Sequence, residues 1–159
     1  MLKRIKNPWL HRHGYNCIGC APENPIGFHL DFYEEDDYIL TRWTPSTNHQ
    51  GWIDTLHGGV QSLLIDEVAG WVVTRKLQTT GVTSKMELKY LRSILTTEGE
   101  ITIRAKVNKL MRNVAFIDAE IIDAHGILCT TASLVYFCAS KEKAQETMGF
   151  VGCDVEEDC

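Results

Sequence analysis

The 159-residue chain predicts an α+β fold in which an antiparallel sheet curls around one long, buried helix. Three observations predict it. Over residues 56–77, Val60, Leu63, Leu64, Val68, Trp71, Val72 and Leu77 recur at three- and four-residue steps, and Ile65, Ala69 and Val73 fill much of the remaining circumference. A helix apolar almost all round is one buried in a core. Beyond it the period falls to two across 82–90, 101–107, 115–122 and 127–138, with polar turns at 96–99, 111–113 and 123–126. Four such strands joined by short turns read as an antiparallel meander. With one helix and about six strands in all, the sheet must cover the helix for both apolar surfaces to be buried.

The elements follow in order. Residues 1–26 form an irregular entry segment, punctuated by Asn7-Pro8, Gly14, Gly19, Ala21-Pro22 and Asn24-Pro25. The main domain spans 27–140. In it Phe28, Leu30 and Phe32 alternate with polar neighbours, predicting a half-buried strand. Glu34-Glu35-Asp36-Asp37 predicts a solvated turn, and Tyr38–Trp43 a second strand. A loop from Pro45 leads into the central helix, which Thr79-Thr80-Gly81 closes. Residues 141–159 are expected to form a short helix, 141–148, and an acidic tail, 153–159, that is mobile.

Bulk properties exclude several classes of function. A net charge of −5 argues against general nucleic-acid binding, which wants a basic footprint. No apolar run is long enough to span a bilayer as a helix. The basic start, 1–14, is followed by no apolar signal core, so a cytoplasmic location is expected, with the six cysteines reduced. No glycine-rich loop marks a nicotinamide, flavin or nucleotide cofactor, and none is expected.

Asp66 breaks the apolar pattern of the helix. A carboxylate in low dielectric is costly unless paired, hydrogen-bonded or protonated, and such acids concentrate at functional sites. Ser62, Ala69 and Gly70, four before and three and four after, are all small and leave room beside it. The neighbouring Glu67 projects about 100° away on a helix. At the helix start, Gly58 and Gly59 carry no side chain to block an approach. Backbone N–H groups there are unsatisfied and stand at the positive end of the helix dipole, a ready site for a developing oxyanion.

Three motifs now align: His57-Gly58-Gly59 with an acid nine residues after the histidine, V-T-S-K-M-E-L-K-Y at 82–90, and C-x-x-C-x-x-x-N-P-x-G from Cys17 to Gly27. Over residues 15–139 the chain resembles the hotdog-fold acyl-CoA thioesterases, most closely the phenylacetate-degradation-type branch with an HGG motif. The resemblance implies a hotdog fold, Gly58 as oxyanion donor, and Asp66 as the acid that attacks the thioester carbonyl or activates water. It gives His57 a part in shaping the helix entry rather than general-base work. It makes Thr83 the residue that holds the water or carboxylate. Strict alternation instead puts Ser84 on the Met86-Leu88-Tyr90 face, a conflict that a bulge would resolve. Gln50 is a candidate for orienting substrate or water, although Trp52-Ile53-Asp54 replaces the usual Pro-Gly turn of that loop. Gly59 and Ser84 would line the substrate. Coenzyme A is anionic and the protein acidic, so Arg92, Lys109 and Arg112 are the candidates for a local basic patch.

His11, His13, Cys17 and Cys20 make a conceivable tetrahedral zinc set. A second spaced pair of ligands is absent, and in the resembled family the cysteine pair belongs to the entry segment without a catalytic metal, so no bound metal is expected. The expected activity is hydrolysis of an acyl-CoA to free acid and coenzyme A. The alternatives are a hotdog hydratase or dehydratase, for which His57 or His49 would have to serve, and a non-catalytic acyl-CoA-binding protein. One helix cannot bring Gly58 and Asp66 to the same carbonyl, because eight residues span about 12 Å. The expected assembly is therefore a homodimer with shared sites, with a dimer of dimers as a further option.

Overall fold

The computed structural model describes residues 1–157. In chain order the elements are β1 (Lys3–Arg4), β2 (Tyr33–Glu35), β3 (Tyr38–Trp43), α1 (Gly58–Lys76), β4 (Gly81–Tyr90), β5 (Ile101–Met111), β6 (Val114–Ile122), β7 (Leu128–Cys138) and α2 (Lys141–Met148). The strands form one antiparallel sheet, ordered β1-β2-β3-β5-β6-β7-β4, with α1 against its inner face. No helix among the described residues is long and apolar enough to cross a membrane.

Side-chain size sets how closely α1 approaches. Ala105, Ala119 and Ala132 are direct cross-strand partners on β5, β6 and β7, and all three are buried. Larger residues flank that row of alanines, with Ile103 opposite Ile121 on one side and Val107, Ile117, Leu134 and Met86 aligned on the other. Alanines at the middle leave space for the helix, and the larger neighbours fill its flanks at close-packed density. Leu64, Ile65, Val68, Ala69, Val72 and Val73 of α1 fill the core. The buried Gln61 is satisfied there, accepting from the Thr130 hydroxyl at 2.6 Å.

Four expectations are corrected. The meander comprises β5, β6 and β7 alone; β4 lies beyond β7 as an edge strand. Its successor, 91–100, is anchored to Cys129 and to the loop before α1, which carries the chain from that edge to the middle of the sheet. Residues 28–32 are not a sheet strand. Leu30 and Phe32 are buried as alternation predicts, but His29 has φ 52°, and the backbone bonds to Ile18, Gly19 and Ile5 instead. The charged turn is shorter than expected, because Glu34 and Glu35 belong to β2. Glu34 is held by Arg75 and Lys76 of α1.

The tail, finally, is docked through residue 156, whose N–H donates to the Arg4 carbonyl. Cys153 is buried, its carbonyl accepts from Arg75 and Gln78, and Val155 bridges Ile5. The expectation for 158–159 lies outside the described residues. Helix α2 has the predicted bounds, with Ser140 as its N-cap and Gly149 in the left-handed conformation after it.

Candidate active site

Asp66 sits on α1 at the mouth of a cavity of about 480 Å³, shared with Thr83, Tyr136, Glu67, Cys17 and Cys20. Its Oδ1 accepts from the Thr83 hydroxyl at 2.7 Å and from the Tyr136 hydroxyl at 2.7 Å. No hydrogen-bond partner faces Oδ2 among the described residues. The carboxylate is therefore clamped through one oxygen and open through the other.

A bulge makes this arrangement possible. Thr83 pairs with Tyr136 and Lys85 with Val135, so Ser84 is the extra residue in β4. Thr83 thereby shares the inward face with Met86, Leu88 and Tyr90, which oppose the buried or half-buried Leu134, Ala132 and Thr130. Ser84 is left exposed at the bulge and makes no contact with Asp66. Tyr136 is the site residue that the sequence reading missed. The available signal was a tyrosine on the apolar face of the last strand, since a buried phenol needs a polar partner. Burial pushes its ionisation up, and the nearby Asp66 adds to that, which keeps the phenol a proton donor.

The helix start is a separate cluster. His57 caps α1, its Nδ1 accepting from the Gly59 N–H at 2.8 Å. Tyr90 donates to the Gly58 carbonyl at 2.9 Å, and Ser62 donates to the same oxygen at 3.0 Å. The Gly58 N–H has no acceptor among the described residues, as the first donors of a helix commonly do not. A Cβ on Gly58 would meet the Tyr90 ring at 3.3 Å, so the position is nearly full. None of His57, Gly58, Gly59 or Tyr90 lines the Asp66 cavity.

The other predicted residues scatter. The Gln50 side chain accepts from Asp54 N–H at 3.1 Å, stabilising its own loop. His49 bonds Ser46 and packs against Trp43 and Phe28. Lys109 pairs with Phe116 on the outer face of the sheet, displaced by a bulge at Asn108, and Arg112 takes φ 54° at the β5–β6 hairpin tip. Arg92 follows β4 at the opposite end of the sheet. Within one chain these three do not make a common patch. Arg12 is the cation that does line the cavity, tethered to the Thr147 and Met148 carbonyls.

Beside Asp66 lies a second polar group. The ligating atoms of Cys17, Cys20 and Glu67 are all within 4.8 Å of one another, and neither His11 nor His13 joins them. The Cys17 Sγ donates to Glu67 Oε1 at 3.3 Å. Burial pushes the Glu67 carboxyl up to about 7, while the Cys20 thiol, against the effect of burial, holds Cys17 down at about 5.

Comparison with known proteins agrees with this architecture. Residues 54–130 match the family model of the Thioesterase superfamily. Among solved structures, a thioesterase superfamily protein aligns with a TM-score of 0.69 at 22% identity, over 76% of this chain and 59% of its own. The chain thus spans under two thirds of that protein. A hypothetical thioesterase of Streptococcus pneumoniae TIGR4, solved with coenzyme A, aligns at 0.64 and 20% identity over 70% of this chain and 86% of its own. A Streptococcus mutans UA159 protein bound to acetyl-CoA aligns at 0.65 and 17% identity, over 82% and 98%. No curated protein matches the chain in sequence. The fold is that of the hotdog thioesterases.

Proposed function

We propose that the protein is an acyl-CoA thioesterase of the HGG-containing, phenylacetate-degradation-type branch, and that Asp66 carries the chemistry. The observation behind this reading is the Asp66 carboxylate clamped through Oδ1 by Thr83 and Tyr136, with Oδ2 open to a cavity. Oδ2 is then the atom that attacks the thioester carbonyl or takes a proton from the attacking water. The Thr83 and Tyr136 hydroxyls set its direction. As the nucleophile adds to the carbonyl carbon, the Gly58 N–H stabilises the charge that develops on the carbonyl oxygen, and that charge returns to the C=O bond as the thiolate leaves.

Gly58 and Asp66 stand about 12 Å apart along α1, so the two groups at one carbonyl come from two chains. The strand β4 supports that assembly. It is a ten-residue edge on which Val82 and Tyr90 are 67% and 53% exposed, and long open edges of this kind are normally paired or covered. Two-fold antiparallel pairing of β4 would set the Thr83 end of the strand in one chain against Tyr90 of the partner subunit. The Asp66 end of one helix would then meet the Gly58 end of the other, and Arg92 would approach the hairpin carrying Lys109 and Arg112. That brings the scattered cations together for an anionic coenzyme A.

A hydratase would need a histidine beside the acid. His57 and His49 both use Nδ1 on local backbone, and neither lines the Asp66 cavity. The test is a panel of aliphatic and aryl acyl-CoA thioesters followed by free-thiol release. Thiol release is expected. Gain or loss of water on an enoyl-type thioester without thiol, or binding without any turnover, overturns the reading.

A further inference from the structure

The pair Cys17 and Cys20 is drawn into contact with Glu67 by the fold, although 47 residues separate Cys20 from Glu67 in the chain. The expectation of a metal-free entry segment rested on the lack of a second spaced ligand pair and on the resembled family, whereas the fold brings a third ligand, Glu67, from α1. Glu67 has no cationic side chain among its salt-bridge partners within the described residues. Three structural features prepare the sulfurs to carry negative charge. The Gly19 N–H donates to Cys17 Sγ at 3.3 Å. The Tyr15 hydroxyl donates to Cys20 Sγ at 2.8 Å, and Asn7 Nδ2 in turn donates to that hydroxyl at 3.0 Å. Outer donors of this kind orient and charge-balance thiolate ligands. Gly19 also makes the approach of Glu67 possible, because a Cβ there would lie 2.4 Å from Glu67 Cδ.

We propose that Cys17, Cys20 and Glu67 bind a divalent zinc-like ion, with the fourth coordination position open to the cavity that holds Asp66. Two thiolates and a carboxylate are a donor set that zinc accepts and that is too small for an iron–sulfur cluster, which wants four cysteines. Tetrahedral zinc at about 2.3 Å from sulfur sets sulfur atoms about 3.8 Å apart, so ligand atoms already within 4.8 Å need only a small closure. Binding displaces the proton of the Cys17–Glu67 hydrogen bond and the Cys20 thiol proton. The ion ties the entry segment to α1 beside Asp66, and its role is separable from hydrolysis.

The experiment uses full-length reduced protein stripped with a chelator and titrated with Co²⁺ and then Zn²⁺. One Co²⁺ per chain is expected, with thiolate-to-metal charge-transfer absorption that Zn²⁺ abolishes. Cys17→Ser and Cys20→Ser should lose that absorption, and Glu67→Gln should weaken binding by at least about tenfold. Should those variants fail to fold, the wild type decides: Zn²⁺ should slow alkylation of Cys17 and Cys20 while leaving the half-buried Cys138 unchanged. Absence of charge-transfer absorption at saturating Co²⁺, undiminished binding in folded cysteine variants, or no protection of Cys17 and Cys20 would each overturn the site. So would a Cys17–Cys20 disulfide whose reduction yields no metal affinity.

Discussion

The Tyr136 hydroxyl stands 2.7 Å from Asp66 Oδ1 and 2.8 Å from the Asp66 carbonyl oxygen, so one strand residue fixes both the side chain and the backbone of the same helical residue. A phenol is rigid beyond two torsions, and this one reaches across from the buried face of β7. Tyr136→Phe keeps the ring and removes the clamp. The turnover number should fall about tenfold with little change in KM, as expected when a positioning contact matters more in the transition state than in the ground state. Thr83→Ala should act in the same direction, and the double variant should lose less than the product of the two, because both hydroxyls hold one oxygen. Steady-state kinetics on the four proteins checks this. Independent, multiplicative losses would show that the two contacts are not one device.

Asp66→Asn tests the carboxylate itself. The amide keeps the size and can still meet Thr83 and Tyr136, but it cannot act as base or nucleophile. Turnover should drop at least about a hundredfold while the thermal unfolding midpoint stays near that of the parent. Retained turnover in the folded variant would remove Asp66 from the mechanism.

Sharing of sites between chains has its own signature. Chains with Asp66→Asn and chains with Gly58→Pro should each be inactive. Proline is tolerated at the first helical position but removes the donor N–H, and the nearest atoms to a Cβ there belong to the Tyr90 side chain rather than to backbone. Co-refolded mixed dimers would hold one doubly damaged site and one intact site, so activity should reappear. Folded mixed dimers that stay dead would refute the arrangement.

Acid sensitivity should track Glu34. Burial raises its carboxyl, but hydrogen bonds from Arg75 and the adjacent Lys76 outweigh that and hold it below its ordinary 4.5. A depressed carboxyl stabilises the fold at pH values above its unfolded value, and that contribution disappears as pH falls through the folded one. Glu34→Gln should therefore be less stable than the parent at neutral pH, with the gap closing as pH drops below about 4.5. Denaturant melts across that range give the difference directly.

What could be read from the sequence was what repeats locally. The helix 58–76, with Asp66 in its apolar field, follows from period, helix 141–148 has the bounds expected of it, and the Thr83–Ser84 conflict could be posed from alternation alone. Contacts across long separations have no period. Tyr136 meets Asp66 from 70 residues away, Glu67 meets Cys17 from 50, and nothing in β4 announces that it pairs with β7. The stretch 28–32 was opaque for a related reason. A single left-handed residue, His29, turns an alternating stretch off the sheet, and periodicity is blind to φ.

The extra residue at Ser84 gives the protein two independently adjustable lengths of one strand. Residues 85–90 follow the register of β7, whereas 81–83 are set one step out of phase. Loss of Ser84 would close the bulge and leave Thr83 opposite Tyr136 and facing Asp66, because Thr83 and Lys85 already oppose consecutive residues of β7. The clamp therefore depends on Thr83 keeping its place opposite Tyr136 and not on the identity of the bulged residue. The lack of this one residue in a related strand would change neither the held acid nor the core.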